Sequence, residues 1–95
     1  MKMEKRHETQ LLLKLDELWL KNTTFISYAE IYYWFNQSKI KKTPFKKIKE
    51  CWIGVLEECG FEYKDFPIKL LQNDDMGGYM FFVLPKKIEA IEDRF

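Results

Sequence analysis

Apolar side chains recur with helical spacing near the start of the chain. Residues at i, i+1, i+4, i+7 and i+8 form one apolar stripe and predict a helix over 4–21. They are Leu11, Leu12, Leu15, Leu18 and Trp19. Leu13 and Leu20 are seven residues apart and project from the opposite side of that helix. They form either a ridge that docks a partner or a surface that another element covers, such as the C-terminal segment.

A very short strand is predicted at 25–26, followed by a second helix. Ser27 and Glu30 have the spacing of a capping box, so this helix begins after Ser27 and runs to about residue 37. Its inner face is predicted to hold Tyr28, Ile31, Tyr32 and Phe35.

A third helix is predicted after a polar turn. Thr43 is placed to cap it and Pro44 to be its first residue, where a missing N–H costs nothing. Gly60 ends this helix, since glycine readily adopts the left-handed conformation at that position. The predicted buried stripe contains Phe45, Ile48, Trp52, Val55, Leu56 and Cys59.

The hydrophobic period changes after residue 61. Two strand-like runs, 68–72 and 79–84, are joined by six residues rich in Asn, Asp and Gly, which predicts a β-hairpin with a longer loop. Ile88, Ile91 and Phe95 at i, i+3 and i+7 predict a short C-terminal helix.

This order of elements predicts a mostly helical α+β fold. We expect a single winged helix-turn-helix domain over 1–95, with three helices, a two-stranded β-hairpin wing and a short C-terminal helix. Its parts are an N-terminal helix at 4–21, a helix-turn-helix at 27–60, the wing hairpin at 68–84 and a C-terminal segment at 86–95. A plain helical bundle is the competing fold, but it leaves the hairpin unexplained.

Composition narrows the classes of function. A chain of 95 residues has room for one domain with one modest core. His7 is the only histidine, so one chain cannot assemble a histidine-based triad or a multi-histidine metal site. We therefore expect no enzyme activity, no catalytic residue, no metal site and no cofactor. Asp74 and Asp75 are interpreted as turn residues rather than metal ligands.

The expected location is cytoplasmic. Cys51 and Cys59 are the only cysteines, and on one helix they lie about 12 Å apart, too far for a disulfide. Two half-buried thiols are typical of a reducing compartment. The leucine-rich stretch 11–20 is too short and too charged to span a membrane.

Charge is concentrated locally although its sum is small. Lys plus Arg total 16 and Asp plus Glu total 15, a net charge of +1. Within 39–49 there are six lysines and no acidic residue: Lys39, Lys41, Lys42, Lys46, Lys47 and Lys49. At the turn and start of the third helix they predict contacts with DNA phosphates. Acidic residues dominate 50–66 and the run lacks arginine, which favours shallow backbone binding over base reading. The alternative is a solvated face that only keeps the protein soluble.

Aromatic residues make up 17% of the chain, more than so small a core usually needs. Five side chains fall outside the predicted core stripes and are candidate contacts with a protein partner: Leu13, Leu20, Tyr33, Trp34 and Ile53. Two alternatives apply to Tyr33 and Trp34. Either they stack on the bases of single-stranded DNA, or the helical phase differs by one residue and buries them.

Four parts of the chain carry a family resemblance: residues 27–35 with the sequence SYAEIYYWF, Phe45, residues 56–61 with LEECGF, and residues 78–83 with GYMFFV. In these parts the chain resembles the winged-helix tails of phage, plasmid and poxvirus primase–helicases. A free-standing protein of this size also resembles the small middle proteins of staphylococcal cassette-chromosome replication operons. That resemblance implies an accessory subunit that binds a family-A DNA polymerase and enables it to make primers.

The leading hypothesis is a non-catalytic winged-helix accessory protein of mobile-element DNA replication. It binds DNA through the lysine run, and a DNA polymerase, primase or helicase through the five apolar and aromatic side chains. One alternative is a homodimeric winged-helix transcriptional regulator, in which the first helix and the C-terminal segment pair two chains. Another alternative is a phage-type inhibitor that binds only protein.

Overall fold

Three helices pack against a three-stranded antiparallel sheet in the computed structural model, which describes residues 3–36, 42–84 and residue 92. The elements are α1 (Lys5–Lys21), β1 (Thr23–Ser27), α2 (Tyr28–Phe35), α3 (Lys42–Glu58), a 3-10 turn (Tyr63–Asp65), β2 (Ile68–Asn73) and β3 (Gly78–Val83). This part of the chain is a mostly helical α+β structure, as the hydrophobic pattern predicts. The predicted C-terminal helix in 86–95 lies outside the described residues, apart from the exposed Glu92.

α1 covers nearly the predicted range. Leu11, Leu15 and Leu18 are fully buried, whereas Leu12 is partly exposed, so the core stripe is narrower than predicted. The helix ends because Asn22 adopts a left-handed φ of 65° and its N–H donates to the Leu18 carbonyl at 2.8 Å.

β1 is longer than the predicted strand and joins the hairpin. The sheet order is β1–β3–β2, and all five residues of β1 pair with β3. Ile26 lies opposite Tyr79, and it shares the buried face of the sheet with Thr24. The two-stranded hairpin predicted from the sequence is therefore part of a three-stranded sheet, because alternate side chains of β1 fill one buried face.

The capping box predicted for α2 is confirmed. The Glu30 N–H donates to Ser27 Oγ at 3.0 Å, and the Ser27 N–H donates to Glu30 Oε1 at 2.9 Å. The helix ends at Phe35, slightly earlier than predicted, because Asn36 adopts a left-handed φ of 49°.

α3 begins at Lys42, before the predicted cap, so Thr43 and Pro44 both lie within its first turn. Proline is tolerated there because the first N–H groups of a helix have no partner within it. The predicted end at Gly60 is confirmed by its φ of 82°. The N–H groups of Gly60 and Phe61 donate to carbonyls of the last helical turn at 3.1 and 2.9 Å, the Schellman pattern.

The core lies between the helices and the inner face of the sheet. Trp52 of α3 is the largest fully buried side chain, and its indole N–H donates to the Phe66 carbonyl at 2.8 Å. The buried apolar set is Met3, Leu11, Leu15, Leu18, Ile26, Ile31, Trp34, Phe35, Ile48, Trp52, Leu56, Tyr79, Phe81 and Val83. One contiguous cluster therefore joins all three helices to the sheet.

α2 turns a different face to the core from the predicted one. Ile31 and Phe35 are buried as predicted, but Tyr32 is exposed and Trp34 is only 3% exposed. The prediction that Trp34 lies outside the core is wrong. Tyr33 is 58% exposed, so the alternative phase that buries both side chains is not observed either. Burial of the indole is favourable because its N–H has an acceptor, Gln10 Oε1, at 2.7 Å.

The buried stripe of α3 is also narrower than predicted. Ile48, Trp52 and Leu56 are buried, and Phe45 and Val55 are half-buried. Cys59 is exposed, which contradicts its predicted place in the stripe. The helix ends at Glu58, and the turn into the Gly60 cap carries Cys59 away from the core.

Two glycines give opposite predictions for stability. A Cβ on Gly78 meets the backbone oxygen of Ile26 at 2.5 Å, whereas a Cβ on the exposed, mid-helical Gly54 meets nothing within 4 Å. We expect Gly78→Ala to lower the free energy of unfolding by about 1–3 kcal/mol, because backbone cannot yield as a side chain does. Gly54→Ala is expected to raise it by about 1 kcal/mol through helix propensity. Urea unfolding followed by circular dichroism measures the free energy of unfolding of each variant. If the two substitutions change it equally, the register of β1 on β3 is contradicted.

Candidate functional site

The lysine run lies partly on the outer face of α3. Lys39 and Lys41 fall outside the described residues. Lys42, Lys46 and Lys49 follow at i, i+4 and i+7, so they share one side of the helix, and all three are exposed. No carboxylate lies within ion-pair distance of these three among residues 3–36, 42–84 and 92. This set, the lysine face, is the part of the predicted DNA site that the structure brings together.

Lys47 is separate from the lysine face. It is half-buried, and its Nζ lies 3.9 Å from Glu8 Oε2 on α1. The carboxylate of Glu8 offsets its charge, so Lys47 is less suited to a phosphate than its neighbours. Lys49 contacts an aromatic ring, with its Nζ 4.5 Å from the centroid of Tyr63, and this contact holds its side chain against the 3-10 turn.

Charge on the outer side of α3 changes sign along its length. The first turn of the helix contains no acidic residue. Beyond Lys49 the same side continues with the half-buried Ile53 and then the exposed Glu57. Positive potential is thus confined to the N-terminal half of α3, where the helix dipole adds to it. A phosphate is attracted to that half and repelled by the other.

Three of the five candidate partner contacts are exposed. Leu13 and Leu20 on α1 are 63% and 78% exposed, and Tyr33 on α2 is 58% exposed. Ile53 is half-buried, so only part of its side chain is accessible to a partner. Trp34 is a core residue and cannot serve as an exposed anchor.

Trp34 nevertheless lines a groove between α1 and α2. The groove has a volume of about 350 Å³ and is lined by Gln10, Leu13, Lys14, Glu17, Glu30 and Trp34. Lys14 Nζ lies 4.0 Å from Glu30 Oε2 across it, and Gln10 holds the indole N–H. Leu13 is the exposed apolar side chain of this lining, and it lies beside the charged side chains of Lys14 and Glu17.

His7 on α1 lies beside Tyr33 and is not among the predicted site residues. It is buried, and among the described residues its Nε2 has no hydrogen-bond partner. The imidazole centroid lies 4.5 Å from that of Tyr33, and the Arg6 guanidinium carbon lies 5.9 Å from the same tyrosine ring. The helical spacing of His7 with Leu11 and Leu15 is the signal that indicates its burial. Its contact with Tyr33 holds that exposed ring in place.

The hairpin turn is held against α2 by polar contacts. The Tyr28 hydroxyl donates to Asp74 Oδ1, and Gln72 Nε2 donates to the Tyr28 oxygen at 3.0 Å and to Asp74 Oδ1 at 3.2 Å. These hydrogen bonds, the tyrosine's first, lower the pKa of the Asp74 carboxyl below its ordinary value. The Tyr28 pKa is raised, chiefly because its hydroxyl donates to this carboxylate. Asp74 therefore has a structural role at the turn.

The cysteines and acidic residues form no metal-binding cluster in the described part of the chain. Cys51 and Cys59 are free thiols, and no group of three His, Cys, Asp or Glu side chains there is arranged to hold a metal. Burial is the main cause of the raised pKa of the Cys51 thiol, which therefore stays protonated at neutral pH.

Comparison with known proteins yields no matching protein-family model, no similar curated protein and no similar solved structure. Of the helices in residues 3–36 and 42–84, none has the length and apolar character that crossing a membrane requires.

The Tyr28–Asp74 contact gives a pH prediction. Because the folded-state pKa of Asp74 is lowered, its contribution to stability is present above the ordinary aspartate pKa, about 3.9, and is lost as pH falls through the lowered value. Tyr28→Phe is expected to move the Asp74 pKa up toward its ordinary value, measured by NMR titration of the carboxyl carbon. The stabilities of the variant and the natural protein should converge in acid.

Tyr33→Phe is the matched control, since it removes an exposed hydroxyl from the same helix without touching Asp74. If Asp74 titrates at the same pH with and without the Tyr28 hydroxyl, the hydrogen bond from Tyr28 is not what lowers the Asp74 pKa.

Proposed function

We propose that this chain is a non-catalytic winged-helix accessory protein of mobile-element DNA replication. In this proposal the lysine face binds the DNA backbone. The exposed side chains of α1 and α2 bind a DNA polymerase, primase or helicase, and the complex supports primer synthesis in the cytoplasm. The observation that carries the proposal is the exposed set of Lys42, Lys46 and Lys49 at the start of α3.

The order and pairing of the elements support the winged-helix assignment. Helix, strand, helix, helix and hairpin follow one another, and the first strand pairs with the last. In a helix-turn-helix protein the second helix of the motif meets DNA with its N-terminal residues. In this chain that helix is α3, and its N-terminal half carries the lysine face.

The distribution of charge supports contact with phosphates rather than bases. The cations of the lysine face are all lysines, which bind phosphates as point charges, whereas arginine is the residue that reads base edges most effectively. Glu57 on the same side opposes deep insertion of the whole helix into a groove. The complex is therefore expected to be strongly dependent on salt and weakly dependent on DNA sequence.

The exposed apolar residues of α1 support a protein partner. Leu13 and Leu20 lie seven residues apart on one side of the helix, and the groove beside Leu13 reaches the Trp34 ring. An amphipathic helix of a partner recognises such a surface through apolar side chains at helical spacing. Tyr33, which contacts His7 and Arg6, adds an exposed aromatic side chain near the C-terminal end of α2.

The DNA proposal is tested by reversing charge on the lysine face. The triple variant Lys42→Glu, Lys46→Glu and Lys49→Glu is expected to weaken DNA binding at least tenfold in low salt, because it removes three phosphate contacts and introduces repulsion. The slope of log K against log salt should fall in magnitude by about 2 to 3. Fluorescence anisotropy with labelled single- and double-stranded DNA measures both quantities.

The matched control carries the same change in net charge elsewhere: Lys5→Glu, Lys21→Glu and Lys64→Glu, at three exposed positions. It should retain nearly all of the affinity. Equal weakening of the two triple variants, or unchanged binding by the first, refutes the assignment of the lysine face.

The partner proposal is tested by co-purification from the native host with mass spectrometry. Leu13→Asp with Leu20→Asp is expected to reduce recovery of a polymerase, primase or helicase at least tenfold, because carboxylates replace the apolar contacts. The fold should persist, since neither side chain belongs to the core. Leu84→Asp, at another exposed leucine, is the control.

Recovery of no replication protein by the natural chain contradicts the proposal. A stable homodimer bound to a palindromic DNA site would favour the transcriptional regulator. Binding to a protein without any binding to DNA would favour the inhibitor.

A further inference from the structure

The β2–β3 hairpin differs in chemistry from the lysine face. Residues 68–83 contain one lysine and two aspartates, a net charge of −1. Their exposed side chains include Leu70, Leu71 and Met76. A surface of this kind repels phosphates and loses apolar contact with water when another protein covers it.

β2 is an edge strand of the sheet that the described residues form. It pairs only with β3, so within the described residues the backbone groups along its other side have no strand partner. Proline lies before the strand at Pro67 rather than within it, and Lys69 is its only charged residue. Natural proteins usually block such edges with prolines, bulges or several charges, because an open edge pairs with another strand.

The outer face of the sheet carries an apolar row that ends at this edge. Phe25 of β1 lies opposite Met80 of β3, and Met80 lies opposite Leu71 of β2. Phe25 and Met80 are half-buried, whereas Leu71 is 60% exposed. Both ends of the row lie on edge strands of the described sheet, and Leu71 is the more exposed end.

We propose that β2 pairs antiparallel with β2 of a second copy of this chain, on a two-fold axis between the two Leu71 residues. The apolar row then runs without a break through six strands, from Phe25 of one copy to Phe25 of the other. Such a contact is self-complementary, as a two-fold interface requires. The proposal is independent of the function proposed above.

The sequence of β2 selects this register. A two-fold axis perpendicular to the sheet leaves the same face of both copies on the same side. An odd-numbered residue of β2 therefore lies opposite an odd-numbered residue of the copy, and an even-numbered residue lies opposite an even-numbered one. With Leu71 on the axis, Lys69 faces Asn73 and Leu70 faces Gln72, and no like charges meet. An axis at Lys69 places two lysines opposite each other, which is unfavourable. An axis at Leu70 puts Lys69 opposite Leu71 and breaks the apolar row.

Cross-linking tests the register directly. In a Cys51→Ala, Cys59→Ser background, Leu71→Cys is expected to form a disulfide-linked dimer under mild oxidation, because opposed Cα atoms lie about 4.5–5.5 Å apart. Lys69→Cys is the matched control on the same face of the same strand. Its two copies are about 14 Å apart in this register, too far for a disulfide. Non-reducing electrophoresis measures the dimer fraction.

Sedimentation of the natural chain over a range of concentrations tests the association itself. A reversible dimer is expected, and Leu71→Lys should weaken it at least tenfold by opposing two lysines on the axis. Leu70→Lys, which faces Gln72 of the copy, should weaken it much less. Circular dichroism checks that both variants fold, as we expect for substitutions at exposed positions. The proposal is overturned by a natural chain that stays monomeric throughout, by equal cross-linking at positions 69 and 71, or by equal weakening in the two lysine variants.

Discussion

Pairing of β1 with β3 is the interaction that joins the two halves of this molecule. β1 lies between α1 and α2 in the chain, whereas β3 follows the hairpin turn, so their backbone hydrogen bonds connect the helical half to the hairpin. Gly78 permits the approach, because a side chain at that position collides with the backbone of Ile26. The pairing also brings Tyr79 and Phe81 into the core beside the helices. The pairing thus sets where the hairpin lies relative to α1 and α2.

Three surfaces of different chemistry result. The N-terminal half of α3 presents Lys42, Lys46 and Lys49 to solvent, α1 presents Leu13 and Leu20, and the hairpin ends in an apolar edge strand. A core this small leaves much of each helix uncovered, so the outer sides are available for binding. The cationic and apolar groups lie on different elements, so in the function proposed above one molecule contacts a nucleic acid and a protein at the same time.

Much of the candidate site was predictable from local sequence. Lys42, Lys46 and Lys49 were assigned from a run with one sign of charge, and the exposure of Leu13 follows from a position opposite the core stripe. Lys47 belongs to the same run, but its contact with Glu8 on α1 is not visible in a linear sequence. Which lysines are free depends on how α1 and α3 pack, and this packing is a long-range property.

The sequence by itself determined the three helices, the start of α2, the end of α3 and the hairpin, because capping boxes, left-handed caps and hydrophobic periodicity act between residues close along the chain. Ser27 with Glu30 and the cap at Gly60 are examples. Only the tertiary structure decided the phase of α2 and the third strand of the sheet. Trp34 packs into the core, and Gln10 on another helix accepts its indole N–H. β1 is a full strand because β3 offers it a complete set of backbone partners. Both outcomes depend on groups distant in sequence, which local pattern does not encode.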